Sequence, residues 1–406
     1  MGNINNTPKF EHGDIYLQLD RPYCTSGKEM TGTIHLNLTQ PFPGASLDII
    51  IEGIERVYWR CNRTSRRHIE KNELIHQLFT IHTFRNGIVN PGQYSFPFNL
   101  VIPPNLSATC FRISSKLPDA TILYSIKAKL EPNPEYKIKE MSFKSELLMR
   151  DPIYGIKENI QSELQETIPG CLCSCSSNPI KFSVQLEKDW YYSDETLVVK
   201  WSIDNSQSQK RVANVEVKLR QRFHLKDKAD YRDNTEFIKY SELFEGIGAG
   251  QSTGEYSRHA EIDLSQISGF PEKEGIEDAK NNSGGQLQPL QPTTHSELIH
   301  IEYLLFVRPV FNSAFTHLPF CILEVKIRDR EIDQYTMIQP PEGWNPVLIN
   351  EVQLGVPVGG NERIEEDLNL IERDDESEEA PIHEPAPARS HDEEDEARIP
   401  LLLQNH

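Results

Sequence analysis

No run of about 20 apolar residues occurs anywhere in this chain, so no helical membrane span is expected. No apolar signal segment opens it, and secretion is not expected either. Cysteine is scarce and odd in number. Of seven in 406 residues, Cys171, Cys173 and Cys175 are too crowded to staple two sheets. That usage excludes a disulfide framework and fits a reducing, cytosolic setting. The Asn-x-Ser/Thr triplets at Asn37, Asn62 and Asn105 are then chance matches. Chemical motifs are missing too. There is no nucleophile elbow, phosphate-binding loop or paired-carboxylate motif. Cys-x-Cys-x-Cys without a nearby fourth ligand departs from structural-zinc spacing. His68, His76 and His82 come from one region, but nothing supplies a third ligand, so ordinary strand histidines are expected. The expectation is a protein without a catalytic site, metal or cofactor.

Apolar residues make up 37% of the chain, low for one compact globule. The deficit is uneven. From Asn361 onward there are 16 acidic residues against 4 arginines, which is most of the net charge of -19. An acidic tail argues against general nucleic-acid binding. After Gly360, charge outweighs any apolar surface the segment can bury, and disorder is expected.

What is present is a repeat. Ile15–Leu38, IYLQLDRPYCTSGKEMTGTIHLNL, and Phe182–Asn205, FSVQLEKDWYYSDETLVVKWSIDN, share one pattern 167 positions apart. Gln18 falls on Gln185, Leu19 on Leu186, Tyr23 on Trp190 and Ser26 on Ser193. Both read strand, polar turn, strand. The spacing is too long for a solenoid unit and points to a duplicated all-β domain. Between Asp14 and Arg150, seven runs alternate or are β-branched, with Pro and Gly punctuation between them. Leu47, Ile49 and Ile51 share one face, with Asp48 and Glu52 on the other. Ile122, Tyr124, Ile126, Ala128 and Leu130 form another apolar face, with Lys127 and Lys129 opposite. Seven further strands are expected between Lys181 and Arg328. Such runs read as antiparallel sandwiches. The expected division is a flexible arm at 1–12, a sandwich at 13–150 and a junction at 151–179. A second sandwich at 180–330 and an acidic disordered tail at 331–406 complete it. A short helix is expected around Lys157–Glu166, a mobile low-complexity loop at Lys280–Thr294 and one weak strand at Val347–Val356.

Several segments, in order, resemble the arrestin-fold superfamily, and α-arrestins above all. Tyr23, Gly27, Met30 and Gly32 are similar to an α-arrestin opening pattern. Asn90–Leu106, NPGQYSFPFNLVIPPNL, resembles the segment with Phe-Pro-Phe and Leu-Pro-Pro. Ile122–Leu130, ILYSIKAKL, resembles the strand that follows it. Ser296–Phe311, SELIHIEYLLFVRPVF, resembles the penultimate strand of the arrestin C-domain. The cysteine-rich Cys171–Cys175 segment fits the same style. The resemblance covers about Asp14 to Arg330. It implies two tandem antiparallel immunoglobulin-like sandwiches and a non-enzymatic adaptor. Such an adaptor would link membrane cargo, receptor tails or phosphoinositides to trafficking coat proteins, at the cytoplasmic side of the plasma membrane or endosomes. The alternative it implies is a constitutive subunit of a retromer-like sorting coat. Three departures stand out. Pro-Pro-x-Tyr motifs that recruit ubiquitin ligases are absent, and Pro340-Pro341-Glu342-Gly343 lacks the tyrosine. The buried charged cluster of visual and β-arrestins has no evident counterpart. Asp194 sits where a turn glycine is expected, a position Asp tolerates in a left-handed conformation.

Four groups of residues are candidates for binding. Arg56, Arg60, Arg63, Arg66 and Arg67 crowd one strand and its loop, and arginine suits bidentate recognition of phosphate. The rival reading is a solvated hairpin whose charges pair with Glu55, Glu70 and Glu73. Gly2 in MGNINNT approximates a myristoylation signal, with Asn6 where Ser or Thr is preferred. One such chain holds a membrane only marginally, and Cys171, Cys173 and Cys175 are candidates for a second anchor. In the tail, Leu370, Ile371, Glu372 and Asp374 resemble a clathrin-box peptide with Arg373 in the fourth apolar slot. Leu401 and Leu402, after acidic Asp392–Glu396, resemble a docking or dileucine-like peptide.

Overall fold

The computed structural model describes residues 9–60, 67–112, 119–151, 156–168, 178–269, 290–311, 320–328, 345–348, 353–354 and 356–358. Their regular structure is strand, apart from one 3-10 turn at Leu264–Gln266. The first half contributes β1 (Lys9–Phe10), β2 (Gly13–Leu19), β3 (Tyr23–Thr25), β4 (Glu29–Leu38) and β5 (Gly44–Arg60). It continues with β6 (Arg67–Thr83), β7 (Gly92–Val101), β8 (Cys110–Arg112), β9 (Asp119–Pro132) and β10 (Met141–Arg150). One sheet runs β1-β2-β4-β7 and the other β6-β5-β9-β10-β3, with β8 beside β9.

The second half repeats the plan. It is built from β11 (Glu158–Ile168), β12 (Asn178–Lys188), β13 (Trp190–Tyr192), β14 (Thr196–Asp204) and β15 (Val212–Lys226). Then come β16 (Arg232–Ile247), β17 (Arg258–Asp263), β18 (Thr294–His295), β19 (Ile299–Phe311) and β20 (Cys321–Arg328). Its sheets are β11-β12-β14-β17 and β13-β20-β19-β15-β16. Three short strands follow, β21 (Val347–Leu348), β22 (Gln353–Leu354) and β23 (Val356–Val358). They return to the first half: β21 and β22 lie parallel to β7, and β23 lies antiparallel to β6.

Alternation builds these layers. On β9, Ile122, Tyr124, Ile126, Ala128 and Leu130 are buried beside Leu47, Ile49 and Ile51 of β5, while Lys127 and Lys129 lie half-buried on the other face and pair with Glu140. Each buried aliphatic side chain contributes about 1.5–3 kcal/mol. The duplication extends below the strand level. β3 lies parallel to the end of β10 and β13 parallel to the end of β20, in the same three-residue register. Thr109 donates its N–H to Met149 and accepts that residue's N–H on its hydroxyl, and Thr293 does both to Ile327. The phenol of Tyr124 donates to the Ser107 carbonyl at 2.8 Å, and that of Tyr303 to the Gln291 carbonyl at 2.7 Å.

Two local expectations need correction. The segment 157–166 is strand β11, not a helix, and its ladder to β12 runs from Glu158–Lys188 to Ile168–Asn178. Ile160 and Leu164 share a face at a spacing of four, which fits both periods. The backbone partners on β12 decide for the strand. Asp194 does not take the left-handed conformation that Gly27 adopts at φ 75°. Its turn closes all the same, with the Glu195 N–H on the Tyr192 carbonyl at 3.1 Å, as Lys28 closes on Thr25 at 3.0 Å.

Candidate anion-binding face

β5 and β6 pair as a long hairpin whose two faces have opposite fates. Trp59 and His68 are cross-strand partners on the inner face, both buried and stacked at 4.9 Å. His68 Nδ1 lies 2.9 Å from an Asp227 carboxylate oxygen, and its ring also meets Tyr231. Lys228 pairs with Glu70 at 3.4 Å. Asp227 accepts two backbone N–H groups from its own turn, those of Ala229 and Tyr231. Burial works against its ionised form, but the His68 bond and these N–H groups outweigh it, and its pKa is lowered. One row further, Glu55 is fully buried. It accepts from Asn72 Nδ2 at 3.0 Å, from the Ser296 hydroxyl and from the Leu298 N–H at 3.2 Å. The hairpin's inner face is thus fastened to the β15–β16 turn and to the β18–β19 turn.

That fastening bears on the rival reading of the arginines. Pairing with Glu55, Glu70 and Glu73 was the rival expectation. Glu55 is instead held by Asn72, Ser296 and Leu298, Glu70 by Lys228, and no ion pair to Glu73 forms among the described residues. On the outer face, Arg56 stands directly opposite Lys71, and Arg60 opposite Arg67. Arg56, Arg67 and Lys71 are exposed and pair with no carboxylate among the described residues. Like charges facing each other across a ladder are destabilising. Arg63 and Arg66 lie outside the described residues, as do Gly2, Cys171, Cys173, Cys175, Leu370, Ile371, Glu372, Asp374, Leu401 and Leu402.

Residues 176–327 match the arrestin C-terminal domain family (arrestin, or S-antigen). The chain has the arrestin fold. It is also 24% identical over 250 residues to Arrestin domain-containing protein A of Dictyostelium discoideum. That match covers 57% of this chain and 41% of the relative, so the chain spans about two fifths of the relative's length.

The arrestin fold also carries buried charge that sequence reasoning did not locate. Arg150 is buried with its guanidinium 3.8 Å from the Tyr23 ring centroid, and its Nε and Nη1 have no hydrogen-bond partner among the described residues. Arg328 occupies the matching end of β20. Between them in the chain, burial pushes the Asp151 carboxyl up to about 6, against the opposing pull of Arg328 and the Ala108 N–H. The duplication was the available signal: both arginines accept an N–H on their carbonyl from the equivalent serine, Ser26 or Ser193. Among the described residues, no group of three His, Cys, Asp or Glu is arranged to hold a metal, and no helix is long and apolar enough to cross a membrane.

Proposed function

We propose that this chain is a non-catalytic adaptor that links membrane cargo to endocytic or endosomal trafficking machinery, working from the cytoplasmic side. The arrestin fold supports the general role. The observation that supports the specific reading is that Arg56, Arg67 and Lys71 on the β5–β6 hairpin pair with no carboxylate among the described residues. Anions, whether phosphorylated tails or lipid head groups, would satisfy these cations. The peptides at Leu370–Asp374 and Leu401–Leu402 recruit the coat, and acyl groups at Gly2 or at Cys171, Cys173 and Cys175 add membrane affinity. Affinity purification of the full chain from cells tests the division of labour. Deleting residues 361–406 removes coat proteins and leaves membrane cargo bound. Replacing Arg56, Arg67 and Lys71 by Gln does the reverse. Loss of neither partner refutes the assignment.

A second reading, a constitutive sorting-coat subunit, is favoured by β16. This strand of 16 residues ends its sheet, with Ile238 and Leu243 each 59% exposed. Long edge strands offer unpaired backbone groups to partner strands. Stoichiometric co-purification that survives high salt supports this reading over the adaptor.

A further inference from the structure

The outer face of the β5–β6 hairpin is not merely basic. Side chains two apart on a strand share a face. Ile69 therefore stands between Arg67 and Lys71 on β6, and Tyr58 shares the face of Arg56 on β5. Ile69 and Tyr58 are themselves direct cross-strand partners. Ile54, one row inward, is paired with Leu123 of β9, which places Leu123 on the same face. Ile69 is 58% exposed and Leu123 45% exposed. Ile69 and the half-buried Tyr58 form one apolar row, Ile54 and Leu123 form another, and the Arg56–Lys71 row lies between them. Among the described side chains, the carboxylates on this face of the hairpin are Glu73, in the row of Ile54, and Glu52, two residues before Ile54 and paired with Lys144 at 2.7 Å.

From this we infer that the outer face of the β5–β6 hairpin and the adjoining end of β9 docks flat on an anionic lipid leaflet. Arg56, Arg67 and Lys71 meet head groups, and Ile69, Tyr58 and Leu123 enter the interface. The inference rests on the adaptor reading above and selects the lipid as the source of the anion. Charge complementarity alone serves a phosphorylated peptide equally well. The apolar rows do not, because a multiply phosphorylated segment offers nothing to cover Ile69 and Leu123. A leaflet covers both, its head groups matching the cations and its acyl boundary matching the aliphatics. The inner face supplies the rigidity. Trp59, His68 and Glu55 are fastened to the second half, so the hairpin presents a fixed surface.

Sedimentation of the purified full chain with vesicles tests this. Vesicles of phosphatidylcholine alone are compared with vesicles containing about one third phosphatidylserine. The expected result is binding to the anionic vesicles, falling as salt is raised. Each cation near an anionic surface contributes about 1 kcal/mol, a factor of about five. Replacing Arg56, Arg67 and Lys71 together by Gln is therefore expected to weaken binding by about 100-fold and to remove most of its salt dependence. The pair Ile69→Gln and Leu123→Gln, which leaves every charge in place, is expected to weaken it by about tenfold or more. All five positions are exposed, and unchanged thermal unfolding confirms that each variant folds. A soluble multiply phosphorylated peptide is the competing probe. If the peptide binds, loses affinity in the Gln-for-cation variant and is indifferent to Ile69→Gln, while vesicle binding is absent, the lipid assignment is overturned and the anion-binding reading survives. If neither vesicles nor peptide bind, both fall.

Discussion

Gly53 of β5 is in register with Tyr124 of β9 and Ile75 of β6. A methyl group added there would lie 2.4 Å from Tyr124 Cε1, 2.5 Å from its Cδ1 and 2.7 Å from Ile75 Cγ2. Tyr124 cannot swing aside freely, because it is buried and its phenol is tied to the Ser107 carbonyl at 2.8 Å. Gly53→Ala must therefore push the ring by several tenths of an ångström. Overpacking of this kind costs about 1–3 kcal/mol and losing the phenol bond about 1 kcal/mol more, a total of about 2–4 kcal/mol. The backbone at Gly53 needs no positive φ, so the effect is purely steric. Equilibrium urea unfolding should show the midpoint lowered by about 1 M. The cause is isolated by a cycle with Tyr124→Leu, which removes the ring. In that background Gly53→Ala should cost at least about 1 kcal/mol less. A Gly53→Ala protein within about 0.5 kcal/mol of the parent, or strict additivity in the cycle, refutes the reasoning. The second half shows the alternative solution. Gln221 holds the same register against Tyr303 and donates to its phenol at 2.7 Å.

Two buried groups make opposing demands on acid stability. Burial between Gln18 and Ser95 lowers the pKa of His35 from 6.5 to about 4, so stability is lost as pH falls through that interval. Burial raises that of Asp151 from 3.8 to about 6, so its contribution grows as pH falls through nearly the same interval. Each is worth at most about 3 kcal/mol, and they nearly cancel. Unfolding measured from pH 7 to pH 4 should thus be steeper in acid for Asp151→Asn and should rise in acid for His35→Gln; parallel curves for both variants reject the assignment. Asp189 is bound by Lys326 at 2.8 Å and by the Lys157 N–H at 2.9 Å. Burial opposes the ionised form, but the Lys326 bond and the Lys157 N–H prevail, and the pKa is lowered. Asp189→Asn should cost about 2 kcal/mol at neutral pH, and that difference should shrink progressively as pH falls from about 4 down through the lowered folded value; a cost independent of pH counts against the ionic account. Arg56→Gln, which relieves a like-charged row, should leave thermal stability unchanged or raised by up to about 0.5 kcal/mol. A clear loss would place Arg56 in the structure rather than in binding.

Much of the sandwich was legible because alternation of period two survives wherever one face is wet. Ile122–Leu130 reveals its buried face by inspection, whereas at Leu47–Ile51 the opposite residues Asp48 and Ile50 are buried as well. β3 and β13 were missed because three residues are too few to show a period, and only their parallel partners on β10 and β20 define them. β11 was misread because Ile160 and Leu164 fit either period. Arg56 and Arg67 were visible in sequence, but their lack of a carboxylate partner among the described residues was not. That depended on where Glu55 and Glu70 went, and both are claimed by residues more than 150 positions away. Lys71, Ile69 and Leu123 gained meaning only from register. Arg150 and Arg328 looked like ordinary strand ends until the repeat superposed them.

The duplication supplies an internal control for the binding face. Gly53 and Gln221 are equivalent, so the row Arg56–Lys71 corresponds to His224–Asn234, and Ile54–Glu73 to Arg222–Glu236. The second half is no less cationic, but its charges are answered. Arg220 and Arg222 both meet Glu236 at 2.6 Å, and Arg308 meets Glu216 at 2.9 Å. His224 is bound to Asn234 at 2.8 Å. Even its like-charged row, Lys226 opposite Arg232, has Asp230 on Arg232 at 2.9 Å. Solubility alone would be served by either arrangement, so it does not explain why one copy neutralises its cations and the other leaves Arg56, Arg67 and Lys71 without carboxylates among the described residues. The proposed anionic ligand would. The contrast gives a paired test. Replacing Arg220 and Arg222 by Gln strands Glu236, and should lower stability by about 1–2 kcal/mol while leaving anionic-vesicle binding within about twofold. The same change at Arg56 and Lys71 should leave stability intact and weaken vesicle binding by about 25-fold, two factors of about five. If the second-half variant loses vesicle binding as strongly as the first, net charge drives association, and the hairpin has no special claim on the membrane.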